Sequence, residues 1–345
     1  MGTIHFVYVK PGAEAQAGAG APAWWRWARS AGEKLRGATG ENGPMPAPYS
    51  ITVNLERFLR ARGRVRVYDW RETGAIELGE DDILIGHPHA DPDTLVQQTL
   101  RRGVRCRLRA LMFPIHHGMP EISAFTLPLV EQADVVFGIT GPYWHDTLGQ
   151  SHFAPWKKKF VRLDLAVDAE EYPLVKRRFN PAGQRGYLYI GNNRPEKGSE
   201  VLSATLGRLK EFPRGWVGGG PEIAEVPRIA TYRRLDREFI SALAEKFDIF
   251  VNTSVSDANP ATILEAMAWG FPVACTPQSG YYKMPTIVEL STTDVDANER
   301  KLREMQEAPE EQLVAVSRKN RELVETQYTW ERFCGTVWKQ LRPYT

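Results

Sequence analysis

Short apolar runs alternate with amphipathic segments along the chain, which is the pattern of strands separated by helices. In the first half the strand-like runs are 4–9, 64–70, 82–86, 108–115 and 134–140, with a helical pattern at 50–62. A second series follows at 186–191, 215–220, 228–232, 248–254 and 271–275. Because strands that alternate with helices form parallel sheets, we predict an α/β fold with two doubly wound parallel sheets.

The length of 345 residues also favours two domains. Prolines and charges in 169–185 predict a linker, and 309–341 has the pattern of two helices. We expect an N-terminal domain at 1–175, a C-terminal domain at 176–325 and a closing helix within 326–345.

The segment 256–276 places two acids around an apolar helix. Asn259 is a good N-cap and Pro260 suits the first helical position, so we predict a helix at 260–269 that Gly270 ends. Strand patterns flank this helix, which puts the loop that contains Asp257 at the carboxyl end of a sheet, where helix N-termini attract anions. Glu265 lies within the helix. The residues alone leave two interpretations: a site for a ligand with an anion and hydroxyls, or a helix cap and a solvated side chain.

Charge and cysteine content exclude several classes of protein. The net charge is +2 without a long Lys/Arg run, so nucleic acid is not an expected partner. Three distant cysteines form neither a disulfide framework nor a zinc pattern.

The N-terminus lacks the pattern of a signal peptide and no apolar run is long enough to span a bilayer. We expect a cytoplasmic protein.

A Gly/Ala/Pro-rich insert at 11–48 separates the first strand from the first helix. Loops of this length are usually functional or disordered, and its cluster of tryptophans argues against plain disorder. Either these tryptophans offer flat apolar faces to a ligand or a membrane surface, or they pack the insert against its own domain. The candidates for ligand contact are Trp24, Trp25 and Trp27 in the insert, and Tyr49 and Ser50 directly after it.

Several segments together resemble one family, the retaining glycosyltransferases of family 4, also called group 1 glycosyltransferases. The segments are 113–121, 131–140, 165–172, 189–209, 216–222, 257–273 and 328–333, in the family's order over most of 108–335. The resemblance implies the GT-B fold, in which two Rossmann-like domains face each other across a cleft. The N-terminal domain would bind the acceptor, and the candidates for contact with its sugar rings or lipid tail are Trp24, Trp25, Trp27, Tyr49 and Ser50. The C-terminal domain would bind the nucleotide-sugar donor, and the closing helix would pack back on the N-terminal domain.

The implied reaction moves a sugar from a nucleotide-diphosphate sugar to the hydroxyl of a glycan or glycolipid acceptor, with retention at the anomeric carbon. The nucleotide sugar is then a co-substrate, and neither a cofactor nor a metal is expected. Two alternatives stay open: a nucleotide-sugar binding protein of the same fold with weak catalysis, and a dehydrogenase. The latter is disfavoured because the glycines at 218–220 lack the GxGxxG spacing.

The resemblance also assigns roles to individual residues. Asp257 would bind hydroxyls of the donor sugar, Glu265 the ribose and Lys197 the diphosphate. His117, which directly precedes Gly118, would face the sugar and the reacting carbon. We expect His117, Lys197 and Asp257 to be catalytic, and the donor to be bound by Gly191, Asn192, Arg194, Lys197, Asp257, Ala258, Asn259, Pro260, Ala261 and Glu265.

Two positions depart from the family pattern. Asp257 stands where Glu is usual, and Asn192 stands where Arg is usual, so Arg194 either supplies the missing charge or is a solvated loop residue. The pairs His87 with His89 and His116 with His117 follow predicted strands. Such histidines can bind zinc, but no Cys or closely spaced acid completes a ligand set, so a metal is the lesser interpretation.

Overall fold

A computed structural model describes residues 2–10, 47–231 and 235–345. Trp24, Trp25 and Trp27 lie outside the described residues, so the predictions made for them stay predictions. The described chain divides into two compact units. The first comprises the described residues of 2–165 together with Trp330–Thr345, and the second comprises Ala166–Thr329.

The first unit is built on a parallel sheet, which has six strands in the described residues. The strands are β1 (Ile4–Tyr8), β2 (Val65–Asp69), β3 (Ile83–Gly86), β4 (Leu108–Pro114), β5 (Val135–Ile139) and β6 (Phe160–Leu163). The helices are α1 (Ala47–Arg60), α2 (Leu95–Arg101), α3 (Pro120–Ser123), α4 (Leu127–Gln132) and α5 (Pro142–Asp146). Buried aliphatic and aromatic side chains from the sheet, such as Leu111 and Phe113, pack with helix residues such as Val96 and Val130 in one core.

The second unit repeats this architecture with another parallel sheet, again of six described strands. The strands are β7 (Tyr187–Ile190), β8 (Arg214–Val217), β9 (Arg228–Ala230), β10 (Ile249–Asn252), β11 (Val273–Cys275) and β12 (Ile287–Glu289). The helices are α6 (Ser199–Leu206), α7 (Arg237–Lys246), α8 (Ala261–Trp269), α9 (Val295–Glu307) and α10 (Glu310–Thr326). The last helix, α11 (Trp330–Leu341), belongs to the first unit and packs on α1 and β6.

The two parallel sheets confirm the fold class that the hydrophobic pattern predicts. Two strands are absent from that prediction: β6, and the three-residue β12. One local prediction is wrong by a residue, because the helix begins at Ala261 and Pro260 is its cap. The ψ of Pro260 is 120°, an extended value, which places this residue outside the helix. Gly270 ends the helix at φ +97°, as predicted.

Each sheet has one point at which the direction of strand addition reverses. The order β2-β1-β3-β4-β5-β6 reverses between β1 and β3, and the order β12-β11-β10-β7-β8-β9 reverses between β7 and β10. Loops that leave neighbouring strands at such a switch point turn away from each other and leave a crevice at the carboxyl ends. Both sheets therefore have a natural place for a ligand.

Candidate active site

Three loops meet at the switch point of the second sheet. They are the loop after β7, the loop after β10 and the loop after β11. The carbonyl of Glu196 accepts from the backbone N–H groups of Val255 (3.0 Å) and Ser256 (3.1 Å), and the N–H of Asp257 donates to the carbonyl of Gln278 (3.0 Å). The backbone of each loop is thus held by the next.

Glycines allow the loops after β7 and β8 to approach closely. The Trp216 indole N–H donates to the carbonyl of Gly191 at 2.6 Å, and a Cβ on Gly218 would lie 1.9 Å from that same oxygen. Asn192 joins these loops, since its Oδ1 accepts from the N–H of Gly219 at 3.0 Å. The amide that stands at the family's arginine position therefore has a structural partner here.

Gly198 fixes the start of α6 beside Lys197. Its φ is +64°, and a Cβ at this position would lie 2.0 Å from the carbonyl oxygen of Thr253. The Thr253 hydroxyl donates to the Gly198 carbonyl at 2.9 Å. Only glycine satisfies both the left-handed backbone and this contact, so the end of β10 determines where Lys197 lies.

Lys197 and Asp257 form an ion pair between Nζ and Oδ2. The Lys197 side chain is 23% exposed and that of Asp257 14%. The structure thus brings together the residues expected to bind the diphosphate and the donor sugar. Arg194 lies beside Glu196, with 3.6 Å between Nη1 and Oε1.

The start of α8 presents hydrogen-bond donors next to this pair. The first N–H groups of a helix have no carbonyl partner within the helix, which favours an anion at this end. Asn259 is 7% exposed and its Oδ1 accepts from the Tyr281 hydroxyl. The buried Asn259 Nδ2 and Ser254 Oγ have no hydrogen-bond partner among the described residues. Ala258, Pro260 and Ala261 complete this turn.

Glu265 is half-buried on α8. Burial raises the pKa of its carboxyl from 4.5 to about 7. The Tyr172 hydroxyl donates to Glu265 Oε1 at 3.4 Å, which lowers that pKa in part. The Tyr172 ring packs on Trp269, with 5.6 Å between centroids. Sequence reasoning missed Tyr172 as a partner of Glu265, because 93 positions separate the two residues.

His117 lies in the first unit, three residues after β4. The Thr147 hydroxyl donates to the carbonyl of Tyr143 (2.7 Å), so at the 2.9 Å contact between His117 Nε2 and Thr147 Oγ1 the imidazole donates. The ring also packs edge-on against Trp144, at 4.8 Å between centroids. Burial lowers the pKa of His117, which favours a neutral ring at physiological pH.

The remaining candidates lie elsewhere. Tyr49 and Ser50 are half-buried in the first turn of α1.

In the parts of the chain that the structure describes, no three His, Cys, Asp or Glu side chains come together as a metal site requires. Across the same residues, every helix is too short or too polar to traverse a bilayer.

Comparison with known proteins identifies the family of most of the second unit. Residues 184–310 match the family model of the glycosyl transferases group 1. This part of the chain is a group 1 glycosyltransferase domain. It contains the donor-site candidates from Gly191 to Glu265, whereas Tyr172 and His117 lie before it.

One curated protein is similar to part of this chain in sequence, and solved structures share its fold. The putative teichuronic acid biosynthesis glycosyltransferase TuaC of Bacillus subtilis is 32% identical over 109 residues, which span 30% of this chain and 28% of that protein. Sucrose-phosphate synthase from Thermosynechococcus elongatus superposes with a TM-score of 0.61 at 16% identity, over 100% of both chains. A UDP-forming trehalose-phosphate synthase from Burkholderia xenovorans, in complex with glucose-6-phosphate, has a TM-score of 0.58 at 12% identity, over 99% of this chain and 100% of that one. The fold is of the GT-B type.

Proposed function

We propose that the protein transfers a sugar from a nucleotide-diphosphate sugar to an acceptor hydroxyl, with retention at the anomeric carbon. The observation that carries this proposal is the Lys197–Asp257 ion pair at the switch point of a group 1 domain, beside the N-terminus of α8. A cation and a helix N-terminus suit a diphosphate, and a carboxylate suits sugar hydroxyls.

Each residue has a distinct task in this reaction. The diphosphate lies on the first turn of α8 and displaces Asp257 from Lys197, and the released carboxylate accepts from hydroxyls of the donor sugar. Glu265 accepts from the ribose hydroxyls. The departing diphosphate takes the acceptor proton, so positioning and electrostatic stabilisation by Lys197 provide the rate and no strong general base is required. Because the protein's own cation and helix dipole stabilise the diphosphate, no metal is required.

Substrates follow from the chemistry of the relatives. One structural neighbour is UDP-forming, so UDP-sugars are the first donors to examine. The teichuronic acid relative favours a glycan or glycolipid acceptor. A cytoplasmic location with peripheral contact to a membrane stays part of this proposal.

A screen of nucleotide sugars by thermal shift tests the proposal. A true donor at 100 times its dissociation constant stabilises the folded state by about 2.7 kcal/mol. Detection of the released nucleoside diphosphate, with and without a chelator, then separates an enzyme from a protein that only binds. We expect turnover that survives chelation. If no nucleotide sugar raises the melting temperature, the proposed function is wrong.

A further inference from the structure

The switch point of the first sheet also carries a cluster of side chains, which the proposed function has not used. Trp70 directly follows β2, and His87 directly follows β3, with His89 two residues later. Tyr8 ends β1 between them. These residues therefore lie at the carboxyl edge of the sheet around the β1/β3 reversal, where α/β folds bind ligands. The second sheet has its candidate donor site at the equivalent place.

Trp70, His87 and His89, which we call the Trp70 cluster, pack as three rings. The Trp70 indole meets His87 edge-on at 4.6 Å and His89 at 5.2 Å between centroids. The Tyr8 ring also packs edge-on against His87, with 5.0 Å between centroids. All three residues of the cluster are partly exposed. The buried Trp70 Nε1 has no acceptor among the described residues, which is unusual for an indole N–H.

Hydrogen bonds determine which nitrogen of each imidazole carries the proton. His87 Nδ1 lies 2.7 Å from the carbonyl oxygen of Pro88, so Nδ1 donates and Nε2 keeps its lone pair. His89 Nδ1 accepts from the N–H of Asp91 at 3.0 Å, so a neutral His89 has its proton on Nε2. Neither Nε2 has a hydrogen-bond partner among the described residues. The cluster thus offers one acceptor and one donor beside an aromatic surface.

The cluster carries no uncompensated charge. Burial lowers the pKa of His87 to about 4 and also lowers that of His89, so both rings are neutral at physiological pH. The neighbouring Arg71 is bound to Asp69, with its Nε 2.7 Å from Oδ1. Neither of these two rings, nor Arg71 with its bond to Asp69, offers a free cation to a phosphate or carboxylate. Of the two histidines, only His87 has a ring nitrogen with a free lone pair, Nε2, so the pair offers a metal ion a single ligand.

We propose that the Trp70 cluster binds a hydroxyl-rich, uncharged sugar ring. An aromatic surface packs against the C–H face of a sugar, and a paired donor and acceptor recognise neighbouring hydroxyls. This inference rests on the proposed function only where it identifies that sugar as part of the acceptor. Binding itself requires neither donor nor turnover.

Saturation-transfer NMR with methyl glycosides tests the proposal in the absence of any nucleotide. The probes are the methyl glycosides of glucose, galactose, mannose and N-acetylglucosamine, with glucose 6-phosphate as the charged comparison. We expect at least one neutral glycoside to bind, and His87→Leu to weaken it roughly tenfold, because a ligand hydroxyl loses its acceptor.

His87→Gln is the matched variant, since it also loses the bond to Pro88 but retains an acceptor near the position of Nε2. It should bind more tightly than His87→Leu at equal melting temperature. If both variants fail to fold, Trp70→Phe, which keeps the ring but removes the orphan N–H, should still weaken binding. Failure of every neutral glycoside to bind the wild type, equal binding by wild type and variants, or preference for glucose 6-phosphate would each overturn the proposal. Glycoside binding by a protein that binds no nucleotide sugar would retain this site and refute the transferase function.

Discussion

The Lys197 ammonium and the Asp257 carboxylate form an ion pair across two loops of the second sheet. A nucleoside diphosphate carries more negative charge than one carboxylate, so it competes directly for Lys197. Each residue thus keeps the other partnered in a crevice where a lone charge would be costly. Under the proposed function, donor binding would thus release Asp257 to the sugar in the same event.

Replacement of Lys197 tests its part in this exchange. We expect Lys197→Ala to lower turnover about 100-fold or more, since it removes a preorganised cation from the departing phosphate. The measurement is the steady-state rate, and Lys210→Ala is the control. Lys210 is an exposed lysine of the same unit, with its Nζ 2.9 Å from Glu225 Oε2. Near-normal turnover of Lys197→Ala would remove Lys197 from the mechanism.

The ionised form of Glu265 should lower the free energy of unfolding at alkaline pH. The pKa of this carboxyl is raised from 4.5 to about 7 in the folded state, so it stays neutral there at pH values where the unfolded chain ionises. Its contribution to the free energy of unfolding is therefore most favourable below pH 4.5 and is lost as the pH rises through 7. Glu265→Gln stays neutral, so we expect it to unfold at a higher temperature than wild type at pH 8, by on the order of 1 to 3 kcal/mol in free energy. The two melting curves should converge as pH falls toward 4.5.

The same variant should bind the nucleotide more weakly at pH 8, because the charged acceptor of the ribose hydroxyls is lost. Glu322→Gln, at an exposed position within α10, is the control and should change neither property. A Glu265→Gln protein that is more stable and binds nucleotide normally would show that the carboxylate has another role.

Gly198 should tolerate no side chain. Gly198→Ala and Gly183→Ala both place alanine at positive φ, which costs about 1 to 2 kcal/mol each. A Cβ at Gly183 meets nothing within 4 Å, whereas at Gly198 it lies 2.0 Å from Thr253 O. We expect a further loss of roughly 1 to 3 kcal/mol at Gly198, measured by denaturant unfolding. Equal losses at both positions would argue against the close contact with β10.

The sequence predicts most of the fold because its strands are apolar runs bounded by turns. It misses β12, whose three residues give too short a pattern, and β6, a four-residue strand that directly follows three lysines. Periodicity also cannot show that Pro260 has an extended ψ, which moved the helix start by one residue.

The sequence predicts individual residues of the candidate site but not the contacts between them. Spacing along one loop and helix makes Asp257 and Glu265 candidates, and only a family resemblance gives them roles and adds Lys197. The contact of Asp257 with Lys197 and that of Tyr172 with Glu265 join segments 60 and 93 positions apart, and a single sequence carries no signal for such pairs. The same holds for the ring packing of Trp70 with His87 and His89.

A crystal structure with a bound nucleoside diphosphate tests the central claim most directly. The ligand should be the diphosphate of the donor that the thermal-shift screen identifies. The account predicts its phosphates on the first turn of α8 and within hydrogen-bond distance of Lys197 Nζ, with Asp257 displaced from that ammonium and Glu265 on the ribose. A diphosphate bound elsewhere, with the Lys197–Asp257 pair intact, would contradict it.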